Sequence, residues 1–335
     1  MQAVEPWQYP RRKFLVQGAA LSAASFLTFA DRAHADPPPE TRRLVLNSFP
    51  VTCVAPVFVV NALLQAEGFT DIQYQLDTSA VSVGSGRPDL DLMAVCPILI
   101  HLDLGAPIVT LASMHLGCYE LFATEHVHSI RDLKGKTVPV AGLLKAQHTL
   151  LSSMAAYVGL DPRKDINWVV TKPREGPQIF ASGQADAYLA FPPEPQELRA
   201  ARAGHVIVNT ATDKPWSQYG CCMLVTHRAF FERYPVATKR AMRALLKAAD
   251  LCTSAPERVA RILVEKKVTD RYDYALETLR EVHYDAWRDY DPEDSMRFYG
   301  NRLYEAGMIK SHPNDLIARG YDGRLLAALR KEMKA

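Results

Sequence analysis

The sequence predicts an α/β protein of two strand-helix-strand units and a helical tail, behind an N-terminal export signal. Short apolar runs alternate with helical periodicity from Leu44 to Val208, whereas beyond Tyr234 only helical spacing remains. Residues 1–35 have the layout of a leader. The chain has 335 residues, 48% hydrophobic and 23% charged, which excludes disorder, collagen and low complexity. A net charge of +2 argues against a nucleic-acid binder.

In the leader, Arg11-Arg12-Lys13 is the positive region, Leu15–Ala30 the uncharged apolar stretch and Ala33-His34-Ala35 an A-x-A cleavage site. The apolar stretch is shorter than the ~20 residues a membrane span needs, and no other stretch reaches that length. Arg-Arg-x-Phe-Leu resembles the twin-arginine signal; Pro10 replaces the usual Ser or Thr, so a Sec route stays open. Removal of the leader takes Arg11, Arg12, Lys13 and Arg32 against Glu5 and Asp31, which leaves a formally neutral chain. No Cys stands at the cleavage site to carry a lipid. These features predict a soluble periplasmic protein.

Asp36–Arg43, with its Pro37-Pro38-Pro39 run, reads as an extended linker. Leu44-Val45-Leu46 opens a strand. Val54–Ala66 reads as a helix stopped by Gly68, and Ile72-Gln73-Tyr74 as the next strand. Leu90–Val95 is a short apolar run, Pro97–Leu104 a helix ended by Gly105, and Ile108–Leu111 a buried strand. Tyr119–Thr124, Thr137–Val140, Asn167–Val170, Ala187–Ala190 and His205–Val208 read as strands. Lys145–Gly159, Pro177–Ser182 and Glu194–Ala203 read as helices between them. This alternation implies mostly parallel pairing. The tail comprises a long helix marked by Met242, Leu245, Leu246, Ala249 and Cys252, then Pro256–Lys267, Tyr274–Val282, Pro292–Ala306 and Arg324–Met333. It is expected to pack back onto the first lobe.

An internal echo supports two similar lobes. Asp91 and Asp186 each stand six residues before a proline, Pro97 and Pro192, with Gly86 and Gly183 upstream. The shared pattern is a turn, a short buried strand and a loop into a helix, at the strand end where open α/β sheets bind ligands.

Catalytic signatures are missing. Gly135-Lys136-Thr137 lacks the upstream glycine of a phosphate loop and precedes a strand, so nucleotide binding is rejected. No H-E-x-x-H, G-x-S-x-G or G-x-G-x-x-G occurs. His126 and His128 read as part of a solvated loop. Cys53, Cys96, Cys118, Cys221, Cys222 and Cys252 have no metal-finger spacing, which argues against zinc; free buried thiols and disulfides both stay open. Gly142–His148 follows a strand and starts a helix, so it is either an anion site or an ordinary helix start.

Three segments carry a family resemblance: Ser129-Ile130-Arg131-Asp132-Leu133-Lys134-Gly135-Lys136-Thr137-Val138, then Phe180–Ala187 leading to Pro192-Pro193-Glu194-Pro195, then Arg228–Pro235. Together they resemble the substrate-binding proteins of ABC importers of the nitrate/sulfonate/taurine type, a superfamily shared with thiamine pyrimidine-precursor binding proteins. The resemblance implies a type II periplasmic-binding fold with two hinge crossings, near Tyr119–Thr124 and Cys222–Thr226. Lobe 1 would be 44–120 with 224–335, and lobe 2 121–223. It further implies a monomeric receptor without catalytic activity, cofactor or metal, handing a small organic or anionic solute to an ABC permease and its ATPase. A vitamin-precursor binder is the alternative within the fold, and an exported cofactor-dependent enzyme the alternative of another class.

By position, four loops would line the cleft. They supply Pro50, Val51, Thr52 and Ala55; Val95, Cys96 and Pro97; Gly142, Leu143, Lys145, Gln147 and His148; and Phe191, Pro192 and Glu194. His115–Glu120 and Cys221 are further candidates, as are Trp216 and Tyr219, for which hinge packing is the other reading. Glu120, in an apolar run, needs a partner, either a basic residue of the hinge or a cationic ligand group. Cys221-Cys222 only faintly resembles the cysteine-rich motif of yeast-type pyrimidine synthases.

Overall fold

A computed structural model describes residues 36–76, 88–172 and 174–334; the expected leader and Gly86 lie outside them. The first sheet contains β1 (Arg43–Asn47), β2 (Asp71–Gln75), β3 (Leu90–Ala94), β4 (Ile108–Leu116) and β10 (Gly220–His227), in the order β2-β1-β3-β10-β4. In the second group β5 (Glu120–Ala123) lies between β8 (Ala187–Ala190) and β9 (His205–Asn209), and β6 (Lys136–Val140) pairs with β7 (Ile166–Val170). Asp186 N–H donates to Thr137 O at 3.0 Å and sets β8 beside β6. Across that bond the order β7-β6-β8-β5-β9 repeats the pattern of the first sheet.

The pairing is less parallel than the alternation implies. β1 runs parallel to β2 and β3, and β6 to β7, but β10 is antiparallel to β3 and β4, and β5 to β8 and β9. The reason is an exchange of strands. The chain leaves β4 and enters the second group through β5, then leaves β9 and returns through β10. Each entering strand is inserted among strands that already run the other way.

The Asp echo has a shared structural role. The Asp186 carboxylate accepts Thr137 N–H at 2.7 Å, and that of Asp91 accepts Asn47 Nδ2–H at 3.0 Å. Each ties the third strand of its group to the first.

The helix expected over Val54–Ala66 is broken into a 3-10 turn at Thr52–Val54, α1 (Ala55–Val59) and α2 (Asn61–Ala66). The helix expected from Pro97 is α3 (Val95–Asp103). It starts two residues earlier because a proline is tolerated throughout a first turn, whose N–H groups have no helical partner. α4 (Ala146–Tyr157), α5 (Gly176–Ala181) and α6 (Glu194–Ala201) follow in the second unit. The tail comprises α7 (Arg228–Arg233), α8 (Pro235–Ser254), α9 (Pro256–Glu265), α10 (Tyr272–Glu281), α11 (Pro292–Glu305), α12 (Pro313–Gly320) and α13 (Arg324–Glu332). Glu40, in the expected linker, accepts the N–H groups of Val236 and Ala237 and so caps α8.

The tail makes contacts with the first sheet. Asp322 N–H donates to Thr110 O of β4, Thr278 of α10 meets Thr52, and Arg243 of α8 binds the buried Glu67 at 2.7 Å. Tyr284 and Trp287 of the tail are fully buried. Among the described residues no helix is long and apolar enough to cross a membrane.

The two passages between the sheets touch each other. Thr210, after β9, donates its N–H to Tyr119 O and accepts Tyr119 N–H on Oγ1, both at 2.8 Å. A Cβ on Gly117 would sit 2.1 Å from Thr210 O. Gly117→Ala must therefore push the passages apart and should cost about 1–3 kcal/mol, the usual range for overpacking. Urea denaturation measures this; an unchanged midpoint refutes the close contact.

Candidate functional site

A cavity of about 10 Å³ lies where the passages meet the ends of β3 and β10. It is lined by Ala94, Val95, Cys96, Gly117, Tyr119, Leu150, Thr210, Cys221 and Tyr299. This is roughly the volume that holds one water. Val95, Cys96 and Cys221, and Gly117 and Tyr119 within His115–Glu120, are residues the sequence nominates. Leu150 projects from α4, Thr210 from the second passage and Tyr299 from α11; no motif marks them.

The other nominated residues are placed as follows. Pro50 is half-buried and Val51, Thr52 and Ala55 are buried. Thr52 faces the tail, where its carbonyl accepts from Tyr284 OH at 3.3 Å. Pro97 is buried in the first turn of α3. Gly142 is half-buried, and Leu143 and Lys145 are exposed at the turn before α4. Lys145 is the residue preceding α4, and its side chain does not cap the helix.

Gln147 and His148 are buried and already engaged. Gln147 Nε2–H donates to Tyr188 OH at 2.8 Å and Leu189 O at 2.7 Å. His148 Nδ1 accepts Leu144 N–H at 3.2 Å, and burial lowers its pKa to about 4, so the ring is neutral near pH 7. Phe191 packs edge-on to Tyr119, with ring centroids 6.1 Å apart, and Pro192 is buried beside it. Trp216 lies against Tyr157 and Phe298, and Tyr219 stacks on Phe298 at 3.8 Å.

Glu120 has a partner inside the protein. Arg199 of α6 binds its carboxylate and also reaches Glu277 at 2.7 Å and Glu281 at 2.9 Å on α10. Gln196 adds a bond to Glu281 at 3.0 Å. One guanidinium thus joins β5, α6 and the tail.

A second buried feature went unseen in the sequence. Cys53, His115 and Cys118 bring donor atoms within 4.8 Å of one another, as do His115, Cys221 and Cys222. Cys118 Sγ lies 3.6 Å from Cys221 Sγ, and all the cysteines are free thiols. The sequence does not mark this group because its members come from the turn after β1, the end of β4, the first passage and the start of β10. The adjacent pair Cys221-Cys222, and His115 three residues before Cys118, were the available signals. A polar groove of about 350 Å³ also opens beside Leu116, Ser217, His283, Asp285 and Asp289, which sequence reasoning did not nominate.

Residues 37–265 match the NMT1-like family. The chain belongs to that family. No curated protein matches it. The fold of this NMT1-like protein is similar to that of the periplasmic nitrate-binding protein NrtA of Synechocystis PCC 6803, with a TM-score of 0.74, 14% identity and 89% and 90% of the two chains covered. It is similar to the alkanesulfonate-binding protein SsuA of Xanthomonas axonopodis pv. citri, with a TM-score of 0.69, 17% identity and 86% and 99% covered. The desulfurization enzyme DSZB shares it too, at a TM-score of 0.59, 14% identity and 87% and 99% covered. At these identities the likeness fixes the fold: the NMT1-like chain has the periplasmic-binding architecture, two α/β lobes joined by two crossings.

Glu194 supplies a pH test of this packing. Its carboxylate accepts Tyr188 OH at 2.8 Å, and burial pushes its pKa up from 4.5 to about 8, against the opposing effect of that hydrogen bond. The folded state therefore binds the proton more tightly than the unfolded state. That contribution is complete below pH ~4.5 and is lost as pH rises to ~8. Glu194→Gln should flatten this fall in stability; thermal unfolding across that window checks it, and an identical pH slope in the variant refutes the assignment.

Proposed function

We propose that the protein is an exported receptor that binds a small organic or anionic solute, such as a sulfonate, nitrate or carboxylate, and delivers it to an ABC permease and its ATPase. The observation that carries this reading is the pair of mirrored strand groups that exchange one strand each. On this reading the two lobes hinge about the contact between the passages. Membership of the NMT1-like family and the likeness to NrtA and SsuA support it. The lobes would be 44–120 with 224–335, and 121–223, in a monomer exported by the leader. Catalysis is not part of this reading, although DSZB has the same fold and an exported enzyme is the competing reading.

The cavity of about 10 Å³ is too small for such a solute. Entry would require the lobes to part and the links from Arg199 and Gln196 to α10 to break, so that the solute shifts an open–closed equilibrium. On this reading the solute's negative end meets the amides of Gly142–His148 with Lys145 beside them.

Thermal shift against nitrate, alkanesulfonates, carboxylates and aminopyrimidines tests the proposal, with product analysis alongside. A saturable rise in melting temperature without turnover is expected; conversion of a bound compound would overturn it in favour of the enzyme. With a bound anion in hand, Lys145→Ala should weaken affinity about 10- to 100-fold, the loss of one charge-assisted hydrogen bond worth ~1.5–3 kcal/mol. Unchanged affinity by calorimetry removes Lys145 from the site.

A further inference from the structure

We propose that Cys53, His115, Cys118, Cys221 and Cys222 form a binding site for one thiophilic d10 metal ion, Zn²⁺ or Cu⁺, which pins the two interlobe passages together. The inference is independent of the solute reading. It starts from donor chemistry. Four sulfur atoms and one imidazole converge with no carboxylate among them, a set that selects soft or borderline ions over calcium or magnesium.

The geometry has the scale of a single-ion site. His115 belongs to both donor triads, and within each triad the donor atoms lie inside 4.8 Å. The Cys118–Cys221 sulfur separation of 3.6 Å approaches the ~3.8 Å edge of a tetrahedron built on zinc–sulfur bonds of about 2.3 Å. Four of the five donors complete such a shell, and Cu⁺ needs fewer.

His115 supplies a second, independent observation. It is fully buried, its Nδ1 lies 2.5 Å from Leu116 O, and its Nε2 makes no hydrogen bond. A proton held on Nδ1 by the backbone carbonyl leaves the Nε2 lone pair free, the tautomer of metal-bound histidines whose other nitrogen donates outward. A buried nitrogen without a partner costs free energy, and a metal bond would remove that cost.

The site's place in the chain gives it a consequence. His115 lies at the end of β4 and Cys118 in the first passage that follows it, Cys221 and Cys222 open the strand that ends the second, and Cys53 comes from the turn after β1. An ion held by all three segments would stiffen the contact at Gly117 and Thr210.

The test uses the full chain, exported and purified without chelator or metal-affinity resin, with metal content measured by mass spectrometry. The apoprotein is then titrated separately with Zn²⁺ and with Cu⁺ against a competing chelator, and with Co²⁺ as a spectroscopic probe. Expected are one Zn²⁺ or Cu⁺ per chain, a higher melting temperature on binding, and thiolate-to-cobalt charge-transfer bands. The ion that survives chelator competition identifies which of the two is held. His115→Gln and Cys118→Ser should each weaken binding at least ~10-fold, the least that losing even a residue that only orients a ligand costs. Cys252→Ala, a buried thiol on α8 outside the cluster, should leave stoichiometry and affinity unchanged. The proposal is overturned if the wild-type protein takes up neither ion stoichiometrically and shows no cobalt–thiolate band, with or without a Cys118–Cys221 disulfide in unreduced peptides. It is equally overturned if a folded Cys118→Ser/Cys221→Ser variant binds like the parent. Should the variants not fold, wild-type stoichiometry and the cobalt spectrum decide alone.

Discussion

The contact between Gly117 and Thr210 is the constraint on which the rest of this architecture depends. Two stretches of backbone cross between sheets side by side, at a spacing that leaves no room for a Cβ on Gly117. Reciprocal hydrogen bonds between Tyr119 and Thr210 fix their register. Because β5 and β10 continue from these passages, each is forced antiparallel to its neighbours, and each carries the chain into the middle of the other strand group. The small cavity and the cysteine–histidine group gather here because the ends of β3, β4 and β10 converge on one point.

Buried polar groups explain why several side chains with the look of ligand contacts are already in use. A buried carboxylate or amide without a partner is costly, so the fold supplies partners from its own chain. Glu120 takes Arg199, and Gln147, Tyr188 and Glu194 satisfy one another. The Arg199 arrangement is the more consequential, because its guanidinium also engages α10. An Arg fork serves several carboxylates at once where a Lys point charge would not. The same guanidinium therefore both partners Glu120 and ties α6 to α10.

His115 and the four thiols around it differ from these self-satisfied groups. Their sulfur atoms and imidazole face one another with no carboxylate in either donor triad, and one ring nitrogen has no hydrogen bond. Core packing alone does not call for a histidine among cysteines, since apolar side chains of similar volume would fill the space without leaving a polar atom unpaired.

The sequence by itself determined the local elements and their order. Periodicity located most strands and helices, since the spacing of apolar residues is set by which face is buried, but not β10, α7 or α12. Errors fell at boundaries such as Val95–Asp103 and at the broken helix after Thr52, where proline and a tight turn compete with helical spacing. The Asp91 and Asp186 echo was legible because the same hydrogen-bonding task recurs in both groups. Tertiary structure alone decided the strand exchange, the Arg199 partnership and the Cys53–His115–Cys118–Cys221–Cys222 group. Each joins residues tens to more than a hundred positions apart, and no local spacing encodes which distant segments a chain reversal through two crossings will bring within a few ångströms.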